Sequence, residues 1–147
     1  MKDLMRAIES LARQFHLADI YVFGSRSGEV AARVRAHDAS IHETPPLHTG
    51  SDVDIGVLPH AGVTLSAQDR VALTLAMEDI LDAPRVDIVL LPEAETFLAL
   101  DIIRGEILYT DDPNRQSEYE LYVLRRAGDL LPFKRQRMKM ILEEDAL

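Results

Sequence analysis

Two aspartates, Asp52 and Asp54, flank Val53 in an apolar run over residues 51–58. Side chains on a β-strand alternate between its two faces, so both carboxylates point the same way, about 7 Å apart along the strand. Adjacent carboxylates repel each other unless a cation lies between them. Mg²⁺ is commonly held by one or two carboxylates together with phosphate oxygens of a substrate. The pattern therefore favours a magnesium site that handles a phosphorylated substrate.

Two further stretches place polar residues where such a site needs them. An apolar strand pattern runs into Gly24, Ser25 and Arg26. A glycine–serine turn before a helix offers backbone N–H groups and a hydroxyl to a phosphate. Another apolar strand pattern carries Asp87 in its interior, where a carboxylate is costly unless it is paired or metal-bound. The order of these three stretches is more specific than any one of them.

Each of these residues also has a purely structural explanation. Gly24 could form only the turn into a helix, and Ser25 could be only the N-cap of that helix. Asp87 could form a buried ion pair with Arg85 or Arg104. The catalytic interpretation is preferred because all of these explanations would have to hold together.

The order strand, Gly-Ser turn, helix, strand with two acids and strand with one acid resembles the DNA polymerase β-type nucleotidyltransferase superfamily. Within it, the chain resembles the minimal nucleotidyltransferases (MNT), which are partners of HEPN proteins in toxin–antitoxin pairs. The residues that carry the resemblance are Gly24, Ser25, Asp52, Asp54 and Asp87. It covers residues 1–110 well and the C-terminal tail less specifically. One departure is the 26 residues between Ser25 and Asp52, a longer spacer than the family pattern has.

The resemblance implies an antitoxin that transfers AMP from ATP to a tyrosine of a HEPN ribonuclease toxin. Asp52 and Asp54 would bridge two Mg²⁺ ions, and Asp87 would complete the second metal site and accept the proton of the attacking hydroxyl. Gly24 and Ser25 would contact the β- and γ-phosphates. A phosphate contact by the neighbouring Arg26 is as plausible as a surface position.

Two other functions stay open at this point. One is a small-molecule nucleotidyltransferase, similar to the aminoglycoside-modifying relatives, which would need an acceptor pocket. The other is a non-catalytic antitoxin that neutralises its toxin by binding alone. The complete set of three acids favours catalysis over the binding module.

Composition narrows the classes of partner. The chain has 147 residues, no cysteine and a formal net charge of −9. An acidic surface disfavours direct nucleic-acid binding, which needs a basic surface. No apolar run is long enough to span a membrane, and the N-terminus lacks a secretory apolar segment, so a cytoplasmic protein is expected.

Hydrophobic periodicity predicts an α/β (α+β) fold in which a small mixed sheet is flanked by helices. We expect one nucleotidyltransferase domain over residues 1–147, with a catalytic core at 1–110 and a helical tail at 111–147. The predicted strands are residues 19–23, 51–58, 85–91 and 106–110, and the predicted helices are residues 2–16, 28–37, 67–82 and 94–104. Ser66 is the expected N-cap of the third helix, whose inward residues are predicted to be Val71, Leu75, Ile80 and Leu81.

Residues 38–50 form the insertion, and their paired prolines predict a surface loop beside the site. Four histidines, at positions 37, 42, 48 and 60, lie in or near it. Their spacing fits no zinc motif, so solvent-exposed loop histidines are the preferred interpretation.

The tail is predicted to be helical from Asn114, with a break around Leu131-Pro132. It is the most basic part of an acidic chain. A solvated helix face is the simpler interpretation, and a docking surface for a partner protein is the alternative. Exposed aromatic residues in the tail would favour docking if they shared one patch; these are Tyr119, Tyr122 and Phe133.

Overall fold

The computed structural model describes residues 3–36 and 52–145, and the order of helices and strands matches the prediction. The helices are α1 (Leu4–Gln14), α2 (Ser27–Arg35), α3 (Ala67–Leu81), α4 (Thr96–Ile103) and α5 (Pro113–Asp145), and the strands are β1 (Leu17–Phe23), β2 (Val53–Pro59), β3 (Val86–Leu90) and β4 (Glu106–Thr110). A short 3₁₀ turn, Leu91–Glu93, joins β3 to α4. The whole insertion, residues 38–50, lies outside the described residues.

The four strands form one mixed sheet in the order β3-β2-β1-β4. Strand β1 is antiparallel to both β2 and β4, whereas β2 and β3 are parallel. The predicted mixed sheet with flanking helices is therefore confirmed. Because side chains alternate along a strand, Val53, Ile55 and Val57 point to one face and Asp54 and Gly56 to the other.

Each face of the sheet has its own apolar core. Helices α1, α2 and α3 cover the face that carries Val53, Ile55 and Val57. Helices α4 and α5 cover the opposite face, where Ile102 and Val123 are buried. The carboxylate of Asp54 belongs to this second face, beside α4.

Helix α3 begins as predicted but turns a different side to the core. Ser66 caps it through a reciprocal pair of hydrogen bonds with Asp69. Its buried residues follow a four-residue spacing, namely Leu73, Met77 and Leu81. Val71 and Leu75 are exposed, so the prediction that they face inward is wrong. Residues two positions apart lie about 200° apart around a helix, so these two cannot share the face of the buried stripe.

The break predicted near Leu131-Pro132 is also wrong, because α5 continues through Pro132. Proline removes one backbone N–H and crowds the carbonyl four residues earlier. That carbonyl belongs to Gly128, whose backbone is more adaptable than that of any other residue. Both residues are exposed, so water can satisfy the freed carbonyl. Among the described residues, no helix is both long and apolar enough to cross a membrane.

The start of α5 is fixed to the sheet by a buried ion pair. Asp19 on β1 is fully buried, and both Nη atoms of Arg115 donate to its carboxylate, at 2.6 and 3.1 Å. The same guanidinium donates to the backbone carbonyl of Ala18 at 3.3 Å. One turn further along, the hydroxyl of Tyr21 donates to Glu120 at 3.3 Å. These contacts set where α5 leaves the sheet.

Replacing Arg115 with alanine tests this anchor. Arg115→Ala leaves the Asp19 carboxylate buried without its cation, and we expect a loss of about 3 kcal/mol in the free energy of unfolding. Urea denaturation followed by circular dichroism measures it. Arg125→Ala, at an exposed position of the same helix, is the control and should change stability by less than about 0.5 kcal/mol. Equal losses in the two variants would contradict the anchoring role.

Candidate active site at the start of strands β2 and β3

The three predicted acids come together at one end of the sheet. Asp54 and Asp87 are direct partners in the parallel pairing of β2 with β3. Asp52 lies just before β2, two residues from Asp54 and therefore on the same side of the chain. Their expected juxtaposition is thus present, while their catalytic and metal-binding roles remain predictions.

The guanidinium of Arg85 lies between two of these carboxylates. Its Nε is 3.6 Å from Asp52 Oδ2 and 3.5 Å from Asp87 Oδ1. All three side chains are substantially exposed, so the contacts contribute little to stability. The pairing of Asp87 with Arg85 that the structural explanation suggested is therefore present, but the pair is exposed rather than buried. Arg85 instead supplies an exposed positive charge to a pair of acids.

The Asp54 carboxylate is partly buried and lies close to two other negative charges. Partial burial raises its pKa above the usual 3.8, and the negative charges of Asp87 and Asp52 raise it further. The pKa rises because both effects disfavour the ionised form. An added cation near Asp54 would relieve this repulsion.

Gly24 brings the bend after β1 against the Asp54 carboxylate. Phe23, the last residue of β1, pairs with Asp54, and Gly24 follows with φ of +81°. A Cβ atom at Gly24 would lie 2.8 Å from Asp54 Oδ2. The backbone conformation therefore favours glycine at this position, and a larger residue would displace the Asp54 carboxylate. This contact closes the site on the β1 side.

Ser25 and Arg26 occupy the turn between this bend and α2. The N-cap of α2 is Arg26, and no described side chain caps the first turn, so the explanation of Ser25 as the N-cap is wrong. Ser25 is exposed beside the bend. Arg26 is buried rather than on the surface, and its guanidinium lies 3.4 Å from Glu29. Phosphate contacts by these two residues remain predictions.

The donor atoms fit a hard divalent cation. Mg²⁺ prefers carboxylate oxygens as ligands. Burial, and then the charges of Asp87 and Asp52, raise the pKa of Asp54, and a guanidinium already lies between two of the acids. Among the described residues, however, no three acidic or histidine side chains are drawn together as a finished metal site. Asp52, Asp54 and Asp87 would therefore have to close in, with Arg85 moving aside.

The histidines contribute no ligand cluster in the part of the chain that is described. His60 is partly exposed, and its Nε2 lies 3.1 Å from Asp111. His37, His42 and His48 fall outside the described residues. The interpretation of these three as exposed loop residues therefore remains a prediction.

A family model described as polymerase beta, nucleotidyltransferase, matches residues 6–114, well over half of the chain. The chain belongs to this nucleotidyltransferase family. The match includes Gly24, Asp52, Asp54 and Asp87, the residues that the structure brings to one edge of the sheet. No curated protein matches the sequence significantly.

Solved structures of toxin–antitoxin proteins share this nucleotidyltransferase fold. A toxin–antitoxin structure with AMP-PNP is 23% identical with a TM-score of 0.69, covering 94% of this chain and 98% of that one. A MntA-HepT toxin–antitoxin chain is 20% identical with a TM-score of 0.65, covering 95% and 97%. The structure of a tri-AMPylated Shewanella oneidensis HEPN toxin in complex with MNT antitoxin is 21% identical with a TM-score of 0.65, covering 95% and 96%.

Two close contacts of the site were not predicted from the sequence, the one between Arg85 and Asp52 and the one between Ile102 and Gly56. The bridging position of Arg85 follows from strand alternation, since a residue two positions before Asp87 lies on the same face. Ile102 packs where a Cβ at Gly56 would be, 2.4 Å from its Cγ2. The glycine two positions after Asp54 was a signal for this close approach, because it leaves room for α4.

Alanine at Gly24 should destabilise the protein more than alanine at Gly62. Both glycines have φ of +81°, so both variants carry the same backbone strain, about 1 kcal/mol. Only Gly24→Ala also pushes a methyl group against the Asp54 carboxylate, which should cost up to about 1 kcal/mol more. Nothing lies within 4 Å of a Cβ at Gly62, which makes that variant the matched control. Equal losses in urea denaturation would show that the bend does not press on the carboxylate.

Asp54→Asn should stabilise the protein in the absence of divalent cations. The folded-state pKa of Asp54 lies above the usual 3.8, so ionising this group costs folding free energy at neutral pH. The melting temperature of the variant should exceed that of the native chain at pH 7, and the difference should vanish as the pH falls below about 3.8. Asp101→Asn, at an exposed position on α4, is the control. A native chain as stable as the variant at pH 7 would refute the crowding of the three acids.

Proposed function

We propose that this chain is a nucleotidyltransferase antitoxin that transfers AMP from ATP to a tyrosine hydroxyl of a HEPN-type toxin. The observation that supports this best is the juxtaposition of Asp52, Asp54 and Asp87 beside the Gly24 bend. Residues 1–110 would form the catalytic core, and residues 111–147 the helical tail of the same domain. The family supplies the reaction class, and the site supplies residues for each part of it.

In the proposed reaction, the tyrosine oxygen forms a bond to the α-phosphorus of ATP while the bond to pyrophosphate breaks. Asp87, the more peripheral carboxylate, accepts the hydroxyl proton. The N–H groups after Gly24 and the hydroxyl of Ser25 hold the terminal phosphates at the start of α2. Asp52, Asp54 and Asp87 would hold Mg²⁺, which when bound neutralises the triphosphate and lowers the pKa of the attacking hydroxyl.

Arg85 has two successive roles in this proposal, first beside the acids and then beside the pyrophosphate. In the free protein its guanidinium offsets the charge of Asp52 and Asp87. Asp52 and Asp87 would hold the Mg²⁺ that accompanies ATP, and Arg85 would then no longer be needed to offset their charge. A guanidinium suits a phosphate as well as a carboxylate, so the freed side chain would turn to the departing pyrophosphate.

The choice of a protein acceptor rests on the solved relatives. One of them is an MNT antitoxin in complex with an AMPylated HEPN toxin, and it matches nearly the whole of this chain, tail included. Another holds AMP-PNP, an ATP analogue. Together with the three acids, these structures favour AMP transfer to a toxin over the small-molecule reaction.

The decisive experiment combines the chain, labelled ATP, Mg²⁺ and the HEPN-type partner protein. The native chain should add AMP to a partner tyrosine, detected by intact-mass and peptide mass spectrometry. Asp52→Asn and Asp87→Asn should each reduce the rate at least about a hundredfold, because each removes a charge that supports the transferring phosphoryl group. Asp101→Asn, which carries the same change outside the site, should retain the native rate.

Other outcomes would reassign the function. Label on an aminoglycoside rather than on the partner would identify a small-molecule enzyme. Neutralisation of the toxin that survives the double change Asp52→Ala, Asp54→Ala would identify an antitoxin that acts by binding alone. Unchanged turnover in the single asparagine variants would reject the three acids as the active site.

A further inference from the structure

An open groove of about 840 Å³ runs between α4 and α5. Its apolar lining comes from both helices: Phe97 and Leu100 on α4, and Leu124, Leu131, Met138 and Leu142 on α5. The α5 residues recur at intervals of seven or four, so they form one stripe along the helix. The groove therefore has the shape and chemistry that receive a helix rather than a small polar ligand.

The second half of α5 has little of the protein to pack against. Residues 128–144 are all exposed, although they include several large apolar side chains. A helix in water gains most of its stability from burying an apolar face, and an uncovered stripe of this size marks an interaction surface. This half of α5 therefore has the properties of a surface that another molecule covers.

The charge around the groove indicates what covers it. Arg104, Lys134, Arg135 and Lys139 surround the apolar floor, with the single acid Glu143 among the described lining residues. The chain as a whole carries −9, so this basic concentration opposes the general charge of the protein. The Nζ of Lys134 lies 4.0 Å from the Phe97 ring, which holds one cation at the rim. A helix that fits this groove must be apolar on one face and acidic along its edges.

The groove also leads to the catalytic edge of the sheet. Arg104 at its α4 end is followed by Gly105, where a Cβ would lie 2.9 Å from the Cα of Phe23. Phe23 is the residue that pairs with Asp54. Helices α4 and α5 also cover the same sheet face to which the Asp54 carboxylate belongs. A protein lying in the groove would therefore reach the three acids without crossing the sheet.

We propose that the α4–α5 groove is the docking site of the acceptor protein and receives an amphipathic helix with acidic flanks. This inference rests on the proposed function, since it names the surface by which a protein acceptor reaches the site. The apolar stripe supplies affinity, and the four cations orient the acceptor and speed its approach. Docking here fixes the acceptor hydroxyl beside Asp87, so the groove selects the substrate while the acids perform the transfer.

Two pairs of double variants test the groove by calorimetric titration with the HEPN-type partner. Met138→Ser with Leu142→Ser removes two groove residues that are 51% and 63% exposed. Phe133→Ser with Met140→Ser is the control on the opposite side of the same helix, at residues that are 68% and 54% exposed and absent from the groove lining. The groove pair should raise the Kd at least about tenfold, and the control pair less than about twofold.

The charge arm uses the same design. Lys134→Glu with Lys139→Glu should raise the Kd at least about tenfold and reduce its dependence on salt, because two attractive charges become repulsive. Arg125→Glu with Arg137→Glu makes an equal change of net charge outside the groove lining and should have a much smaller effect. Groove variants that bind like the native chain, or controls that weaken binding equally, would overturn the proposal.

Two further measurements address the other possible occupants. Light scattering of the isolated chain would reveal a dimer that the groove variants convert to monomer, if the groove received a second copy of this protein. Sedimentation with phosphatidylserine vesicles would reveal binding that the same variants abolish, if the groove lay on a membrane. Either result would overturn the proposal. A chain that is monomeric and does not bind the vesicles would agree with it.

Failure of the groove and failure of the proposed function give different results. If the native chain modifies the partner and the groove variants do so with unchanged KM, only the docking site is refuted. If the native chain neither binds nor modifies the partner, the proposed function itself fails. Asp52→Asn is the converse test, because it should greatly slow AMP transfer while the Kd for the partner stays unchanged.

Discussion

Repulsion among three carboxylates is the constraint around which this molecule is arranged. Parallel pairing of β2 and β3 puts Asp54 directly beside Asp87, and strand alternation adds Asp52 to the same side. Such a cluster is unfavourable in a protein without a bound cation, and the raised pKa of Asp54 records that cost. Two apolar cores, one on each face of the sheet, hold the strands in place against it. The site is a local loss of stability that the remainder of the fold compensates.

Close backbone contacts give the cluster its fixed walls. Gly24 allows the bend after β1 to touch Asp54, and Gly56 allows Ile102 of α4 to rest on β2. In both places a single added methyl group would overlap a neighbouring side chain. Glycine at these two positions therefore allows the close contacts, and Arg85 supplies an exposed positive charge beside Asp52 and Asp87.

Most of the fold was predictable because its elements are strongly patterned, while the errors arose where local pattern competes with tertiary context. The strand Glu106–Thr110 agrees residue for residue with its prediction, and the carboxylate strand agrees within two residues. The exposed face of α3 was misassigned because Val71 and Leu75 are as apolar as the residues that are buried. The helix through Pro132 could not be predicted from a rule in which proline ends helices. Contacts between distant segments were the hardest to predict, since no residue near Asp19 in the sequence indicates that Arg115, 96 residues away, is its partner.

That long-range pair has a consequence for how such a protein can diversify. Strand β1 carries the α5 anchor near its first residues and the Gly24 bend just after its last. The seven residues of β1 therefore set the distance between the candidate active site and the start of α5. Beyond that point, residues 128–144 of α5 are exposed, so substitutions there can change what the surface binds without disturbing the packing of the sheet. Binding specificity can therefore change in the second half of α5 while the three acids are selected separately.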